Sequence, residues 1–210
     1  DRRKIEDQIA KLRKDLEQVK EQRETQRKQR RKNAVPVVSI VGYTNAGKST
    51  IMNQLLMKMG QEDSKQVFEK NMLFATLETS VRNIELPDNK SFLLTDTVGF
   101  VSKLPHHLVK AFRSTLEEAR DSDLLLHVVD VSNEEHSFMM DVTNETLKAV
   151  GVEDIPTIYV YNKSDLANVK YPLVSGDNIW ISAKEGTGLD ELIELIKQYV
   201  FADYVTCKML

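Results

Sequence analysis

Short apolar runs alternate with amphipathic stretches through most of the chain, and this pattern predicts an α/β protein. The runs at 37–41, 124–129 and 157–161 are continuous, which is typical of strands buried on both faces of a parallel sheet. Further elements are expected as strands at 81–86, 91–95 and 178–181, and as helices at 105–120, 135–149 and 189–200. Strands that alternate with helices predict a doubly wound, mostly parallel sheet.

The first 32 residues lack Gly and Pro and predict one long polar helix. Its apolar residues recur four and three apart as far as Val19, a short heptad seam that favours packing against another helix. Beyond Val19 basic residues dominate, either as a solvated helix face or as a contact surface for nucleic-acid phosphates. We therefore expect a basic helix at 1–33, an α/β domain at 34–201 and a short tail at 202–210.

Charge is divided unevenly between these parts. Residues 1–33 carry 13 Lys and Arg against 7 Asp and Glu, a net charge of +6. The rest of the chain has a net charge of −9, and the two parts sum to −3. Such a split suggests a polyanionic partner for the basic helix. The single cysteine, Cys207, excludes an internal disulfide and a cysteine-based zinc site, and fits a reducing, cytoplasmic setting. No apolar run is long enough to span a membrane, and a chain that begins at Asp1 is expected to be a fragment.

The segment Gly42-Tyr43-Thr44-Asn45-Ala46-Gly47-Lys48-Ser49 matches the phosphate-loop pattern G-x-x-x-x-G-K-[ST]. It follows a predicted buried strand and precedes a helical pattern, so the context favours a true phosphate site over a chance glycine-rich turn. Backbone N–H groups at the helix start would face the phosphates. Lys48 would reach the β- and γ-phosphates, and the hydroxyl of Ser49 would bind Mg²⁺.

Three later motifs each follow a predicted strand. Asp96-x-x-Gly99 fits a carboxylate near Mg²⁺ and a backbone N–H that reaches the γ-phosphate. In Asn162-Lys163-x-Asp165 the carboxylate can accept two hydrogen bonds from a guanine edge, which adenine does not offer. Ser182-Ala183-Lys184 would support the base. The order of these motifs resembles the translation-factor class of P-loop GTPases, and it implies a Ras-like G domain at 34–201.

A narrower resemblance rests on further tracts. These are Phe74-Ala75-Thr76-Leu77, Asp96-Thr97-Val98-Gly99-Phe100, Leu104-Pro105-His106 and the helix Phe112-x-Ser114-Thr115-Leu116-Glu117-Glu118-Ala119. Together with the phosphate loop they are similar to the HflX family over about residues 20–200. The resemblance implies a monomeric, cytoplasmic GTPase that binds the rRNA of the large ribosomal subunit and splits or rescues stalled ribosomes under stress. Residues 1–33 would be the remnant of an N-terminal coiled-coil subdomain.

The resemblance also implies a set of site residues. GTP or GDP would be bound by Gly42, Tyr43, Thr44, Asn45, Ala46, Gly47, Lys48, Ser49, Thr50, Phe74, Asp96, Thr97, Val98, Gly99, Asn162, Lys163, Asp165, Ser182, Ala183 and Lys184. Mg²⁺ would be held by Ser49, Asp96 and Thr76, with Thr79 as the alternative because the tract from Leu77 to Arg82 departs from the family pattern. Asn45 makes K⁺ a further candidate cofactor.

Lys48, Gly99 and Phe100 are the candidate catalytic residues. Phe100 stands where many GTPases have a glutamine that orients the attacking water, so turnover without a partner is expected to be slow. Two other functions stay open: an RNA-binding scaffold gated by nucleotide with little turnover, and a GTPase that acts on tRNA or membrane assembly. His127 is expected to be a hydrogen-bonded core histidine, and Trp180 a core residue.

Overall fold

The computed structural model describes residues 35–60, 80–97, 99, 119–152 and 154–202. The chain divides into two units, Asp1–Val35 and Pro36–Leu210, and every element below belongs to the second. The predicted basic helix at 1–33, nearly all of the predicted helix at 105–120 and all but the first residue of the tail at 202–210 lie outside the described residues.

The described elements alternate between strands and helices as predicted. In chain order they are β1 (Val37–Gly42), α1 (Lys48–Lys58), β2 (Ser80–Glu85), β3 (Ser91–Asp96), β4 (Leu124–Asp130), α2 (His136–Ala149), β5 (Thr157–Asn162), a one-turn 3₁₀ helix (Ser164–Leu166), β6 (Leu173–Ser175), β7 (Asn178–Trp180) and α3 (Leu189–Val200). Neither β6 nor the 3₁₀ helix was predicted. The three residues of β6 are all exposed, so it carries no buried-strand pattern.

The strands form one sheet in the order β2-β3-β1-β4-β5-β7-β6. The five inner strands are parallel, whereas β2 and β6 pair antiparallel at the two edges. This confirms the predicted mostly parallel α/β class. The chain leaves β1 toward β3 on one side and later reaches β4 on the other, so the loop after β1 lies where the strand order reverses, the usual ligand crevice of such sheets.

Helices cover both faces of the sheet. On one face Ile51 of α1 and Ile196 of α3 belong to the same buried cluster as Ile40 and Leu126, all fully buried. On the other face Leu147 of α2 belongs to a smaller cluster with neighbouring strand residues. Burial on both sides explains the uninterrupted apolar runs of β1 and β4. Within the described segments, no helix is both apolar enough and long enough to cross a bilayer.

Candidate functional site

The loop after β1 turns directly into α1. Gly47, the residue before the helix, has a φ of 98°, in the left-handed region that favours glycine. A Cβ at this position would collide with the side-chain amide of Asn162, so no other residue fits without a shift. The first helical bond runs from the N–H of Ile51 to the carbonyl of Gly47 at 3.0 Å. The N–H groups of the first turn therefore face the loop, which makes this helix end an anion site.

Lys48 is buried within the loop. Its Nζ donates to the carbonyl oxygens of Gly42 at 3.2 Å and Tyr43 at 2.9 Å. Burial lowers the pKa of Lys48 to about 8, and the charge of Asp96 partly opposes this. An ammonium group removed from water interacts strongly with any anion that enters, because the local dielectric is low. The loop thus combines a helix N-terminus with a desolvated cation.

Ser49 and Asp96 bring a hydroxyl and a carboxylate together at the same end of the sheet. Asp96 is the last residue of β3 and is fully buried, and its Oδ2 accepts a 2.8 Å hydrogen bond from Ser49 Oγ. Oxygen donors of this kind suit Mg²⁺, which is usually held by one or two carboxylates together with phosphate oxygens and water. The described residues contain no group of three or more His, Cys, Asp or Glu side chains that could hold a metal alone. An ion at this place would therefore need phosphate oxygens as further ligands.

The segment after β3 lies directly over the phosphate loop. Thr97 is fully buried and its Oγ1 donates to the carbonyl of Ile40 at 2.6 Å, which ties the segment to β1. A Cβ on Gly99 would lie 2.8 Å from both Lys48 Nζ and the Cα of Thr44. Only glycine permits this approach, so the backbone of residue 99 is held close to the lysine.

Asn162 connects the loop to the other two motifs. It ends β5 and is nearly fully buried; its Nδ2 donates to the carbonyl of Ala46 at 2.9 Å, and its Oδ1 accepts from the N–H of Ala183 at 3.0 Å. Both partners are themselves 1% exposed. One side chain therefore fixes the phosphate loop and the Ser182-Ala183-Lys184 segment relative to each other.

Asp165 and Ser182 form the outer part of this arrangement. Ser182 Oγ donates to Asp165 Oδ1 at 2.7 Å and also accepts from the N–H of Glu185 at 3.3 Å. Asp165 lies in the 3₁₀ helix that begins at Ser164. The N–H of Ser164 donates a hydrogen bond to the carbonyl of Ile181 at 3.1 Å and so fixes the start of this helix. The carboxylate is only half-buried, so it is held in place without being enclosed.

A family model described as a 50S ribosome-binding GTPase matches residues 37–163, more than half of the chain. The GTPase HflX of Lacrimispora saccharolytica is 51% identical over 200 residues, and that of Escherichia coli is 38% identical over 204 residues. Each match covers 94% of this chain. The chain belongs to the HflX family of P-loop GTPases.

The chain spans about half the length of its HflX relatives, 46% in both of these cases. Among solved structures, a GTP-binding protein from Sulfolobus solfataricus in complex with GDP is similar with a TM-score of 0.64 and 29% identity. That match covers 93% of this chain and 58% of the archaeal one. The Ras-like fold expected for the HflX domain agrees with this likeness.

Asp130 is a site residue that the sequence interpretation missed. It ends β4 opposite Asn162 of β5, and its Oδ2 receives the ammonium of Lys163 at 2.6 Å. Its Oδ1 accepts from the N–H and the hydroxyl of Ser132 at 3.1 and 2.5 Å. Lys163 itself has a φ of 62°, so its stem leaves the backbone from an uncommon conformation. An acidic residue that ends a buried apolar strand was the available signal.

The structure brings most of the predicted HflX site residues together around the phosphate loop. Thr50 lies in the first turn of α1, Asn45 is exposed at the loop with a φ of 61°, and Lys184 is exposed beside Ala183. Phe74, Thr76, Thr79, Val98 and Phe100 lie outside the described residues, so their roles stay predictions.

Two sequence predictions concern residues beside this site. His127 is buried as predicted and its ring has a hydrogen bond with Asn144, whereas its Nδ1 has no hydrogen-bond partner among the described residues. Trp180 is half-buried rather than enclosed, and it stacks on Tyr161 with ring centres 4.7 Å apart. The stacking follows from the register of β5 and β7, which places the two residues side by side.

Proposed function

We propose that this chain binds GTP and GDP in the crevice at the phosphate loop and hydrolyses GTP. The observation that carries the proposal is the pair of hydrogen bonds that the Asn162 side chain makes with Ala46 and Ala183. These bonds hold the phosphate loop and both base-recognition motifs in one unit. A fixed spacing between phosphate and base subsites is what selective nucleotide binding requires. The GDP complex of the Sulfolobus solfataricus protein supports the same assignment.

In this proposal each group has a separate task. Phosphates lie against the first turn of α1, where Lys48 supplies a desolvated positive charge. Asp165 accepts hydrogen bonds from the guanine edge, and the stem of Lys163, held by Asp130, lies along the base. Ser49 and Asp96 would hold Mg²⁺, with Thr76 or Thr79 added from the segment before β2, and the ion would neutralise charge on the β- and γ-phosphates.

Hydrolysis by the isolated domain is expected to be slow. In phosphoryl transfer nearly all catalysis comes from positioning and electrostatics, and the attacking water must be held in line. Phe100 has no hydrogen-bonding group and cannot orient that water. Lys48 and the backbone N–H of Gly99 can stabilise charge on the γ-phosphate, so a partner that positions water would raise the rate.

We further propose that the partner is the large ribosomal subunit, and that this cytoplasmic protein splits or rescues stalled ribosomes. The description of the matching family, a 50S ribosome-binding GTPase, supports this assignment. The excess of basic residues at 1–33 supports contact with rRNA phosphates. The alternatives are a nucleotide-gated scaffold with little turnover and a GTPase acting on tRNA or membrane assembly.

Multiple-turnover release of phosphate from GTP, measured with and without purified large subunits, tests the proposal. We expect weak turnover alone and a stimulation of at least about tenfold by large subunits, or roughly 1.4 kcal/mol in the barrier. Small subunits and tRNA serve as controls for polyanion effects. Stimulation by tRNA alone would favour the second alternative, and no turnover under any condition would favour the scaffold.

Phe100→Ala, studied by calorimetric titration with GDP alongside the phosphate-release assay, separates binding from catalysis. Because Phe100 offers no polar group to the nucleotide, we expect GDP affinity to stay within about threefold of the unmodified chain, well under the tenfold that 1.4 kcal/mol represents. Loss of GDP binding in this variant would mean that Phe100 packs into the site itself.

A further inference from the structure

The connection between the 3₁₀ helix and β6, residues 167–172, is joined to the loop that follows β7. Near its end the hydroxyl of Tyr171 donates to Oε2 of Glu185 at 3.1 Å. The next residue, Pro172, packs on the same part of the chain, since a Cβ added to Gly188 would lie 3.3 Å from the Cβ of Pro172. The tasks assigned to the nucleotide site use neither Tyr171 nor Glu185. This contact is therefore additional to the groups assigned to GTP.

The loop of residues 182–187 is closed on itself. Ser182 and Thr187 exchange two backbone hydrogen bonds of 3.0 Å, and the N–H of Gly186 donates to the carbonyl of Ala183 at 3.3 Å. Inside the loop the N–H of Glu185 donates to Ser182 Oγ at 3.3 Å. These internal bonds hold the loop as one unit, so a contact made at Glu185 also constrains the hydroxyl of Ser182.

The hydroxyl of Ser182 leads on to the carboxylate assigned to guanine. Ser182 Oγ donates to Oδ1 of Asp165 at 2.7 Å. Three hydrogen bonds in series therefore connect the hydroxyl of Tyr171 with Asp165, by way of Glu185 and Ser182. Within this series Ser182 accepts on one side and donates its only proton on the other, so each bond has a defined direction.

The hydroxyl of Tyr171 also lies close enough to Asp165 to respond to its charge. Partial burial raises the pKa of Tyr171, and the hydrogen bond to Glu185 and the charges of Glu185 and Asp165 raise it further. The phenol therefore keeps its proton at physiological pH. A neutral donor beside two carboxylates offsets part of the repulsion between them, so both can stay at this end of the site.

We propose that Tyr171 is a positioning residue for base recognition, which fixes the orientation of Asp165 through the loop of residues 182–187. The inference rests on the proposed function, in which Asp165 accepts two hydrogen bonds from guanine. Both carboxylate oxygens must then lie in the plane of the base, while Oδ1 uses its other lone pair for Ser182. A base with a single donor on this edge, such as hypoxanthine, tolerates rotation of the carboxylate. Tyr171 therefore contributes to the discrimination between these two bases.

Tyr171→Phe tests this role by isothermal titration with GDP and with inosine diphosphate, whose base lacks the 2-amino group of guanine. The change removes one hydroxyl from an exposed hydrogen bond, so the free energy of unfolding should barely change. We expect the GDP affinity to fall about fivefold, as for loss of one hydrogen bond, and the affinity for inosine diphosphate to stay within about twofold. The ratio of the two affinities is decisive, because a general loosening of the fold weakens the binding of both nucleotides alike.

Tyr199→Phe is the matched control. The hydroxyl of Tyr199, in α3, donates to Oδ1 of Asp177 in another exposed bond between a tyrosine and a carboxylate. Asp177 comes before β7, whereas the loop of residues 182–187 comes after it. The control should leave both affinities within about twofold of the unmodified chain. An equal fall of the ratio in this control would overturn the inference, because the effect would then follow from the loss of any such bond.

Glu185 variants test the route through the loop. Glu185→Ala removes the acceptor of the Tyr171 hydroxyl, so combining it with Tyr171→Phe should lower the ratio no further than either change alone. Glu185→Gln keeps an oxygen acceptor and should retain most of the preference for GDP. Additive losses in the double variant would contradict the route through Glu185.

The unmodified chain separates this inference from the proposed function. If that chain binds GDP no more tightly than inosine diphosphate, the assignment of Asp165 fails and the inference fails with it. If the chain prefers GDP and Tyr171→Phe keeps the full preference, the inference alone is refuted.

Discussion

Replacing Asn162 by alanine removes two buried hydrogen bonds in one step. The carbonyl of Ala46 and the N–H of Ala183 lose their partners at 2.9 and 3.0 Å, and both residues are 1% exposed. An unsatisfied buried group costs about 1–3 kcal/mol. Water that enters the space left by the side chain recovers part of this, so we expect the free energy of unfolding to fall by about 2–4 kcal/mol.

The same change should weaken nucleotide binding more than its effect on stability alone would suggest. Asn162 holds the loop of Gly47 at a set distance from the segment of Ala183, and without it the phosphate and base subsites are no longer pre-organised. A loss of at least about tenfold in GDP affinity is expected, equal to 1.4 kcal/mol. Urea unfolding gives the first quantity, and isothermal titration with GDP in the folded variant gives the second.

Asn178→Ala is the matched control for this experiment. Asn178 begins β7, and its Nδ2 donates to the carbonyl of Ser175 at 3.2 Å in an exposed hydrogen bond. Its replacement should change unfolding by less than about 0.5 kcal/mol and leave GDP binding unaltered. Equal behaviour of the two variants would refute the claim that Asn162 connects the two halves of the site.

Three further predictions concern charge around the site. Asp130→Asn releases the ammonium of Lys163 and should weaken GDP binding about threefold to tenfold by titration calorimetry, with Asp130→Glu restoring part of the affinity; an unchanged affinity would show that this ion pair has no role in binding. If Asn45 helps to hold a K⁺ ion at the phosphate loop, K⁺ should modestly stimulate hydrolysis, and identical rates in K⁺ and Na⁺ buffers would refute that hypothesis. Neutralising Arg27, Arg30 and Arg31 should weaken binding to large subunits and flatten its salt dependence by roughly one slope unit per lost contact, whereas an unchanged salt series would indicate a merely solvated helix face.

The sheet and the nucleotide motifs were predictable because each rests on local pattern. Continuous apolar runs mark β1, β4 and β5, and motif residues such as Asp96 and Asn162 end strands whose carboxyl ends meet at one edge of a parallel sheet. The strand β6 was missed because its pairing with β7 depends on a hairpin with three exposed residues. No hydrophobic period can reveal such a strand.

Other features depend on contacts between residues distant in the chain. The ion pair of Asp130 with Lys163 requires the register of β4 with β5, which sets Asp130 beside Asn162. The stacking of Tyr161 on Trp180 requires the register of β5 with β7. That Nδ1 of His127 has no partner among the described residues likewise depends on which side chains pack around the ring. Burial of His127 follows from its place in an apolar strand, but its hydrogen bonding does not.

Guanine selectivity through Asp165 is the central claim, and one binding measurement tests it most directly. Affinities for GDP and for xanthosine diphosphate are compared in the unmodified chain and in Asp165→Asn, whose amide oxygen still accepts from Ser182 Oγ but whose NH₂ reverses one match to the base. Asp190→Asn, at an exposed ion pair with Lys58, is the control. We predict that the unmodified chain and the control prefer GDP by at least about 100-fold, and that Asp165→Asn prefers the xanthine nucleotide. An equal preference for GDP in all three proteins would contradict the assignment of Asp165 and with it the proposed guanine site.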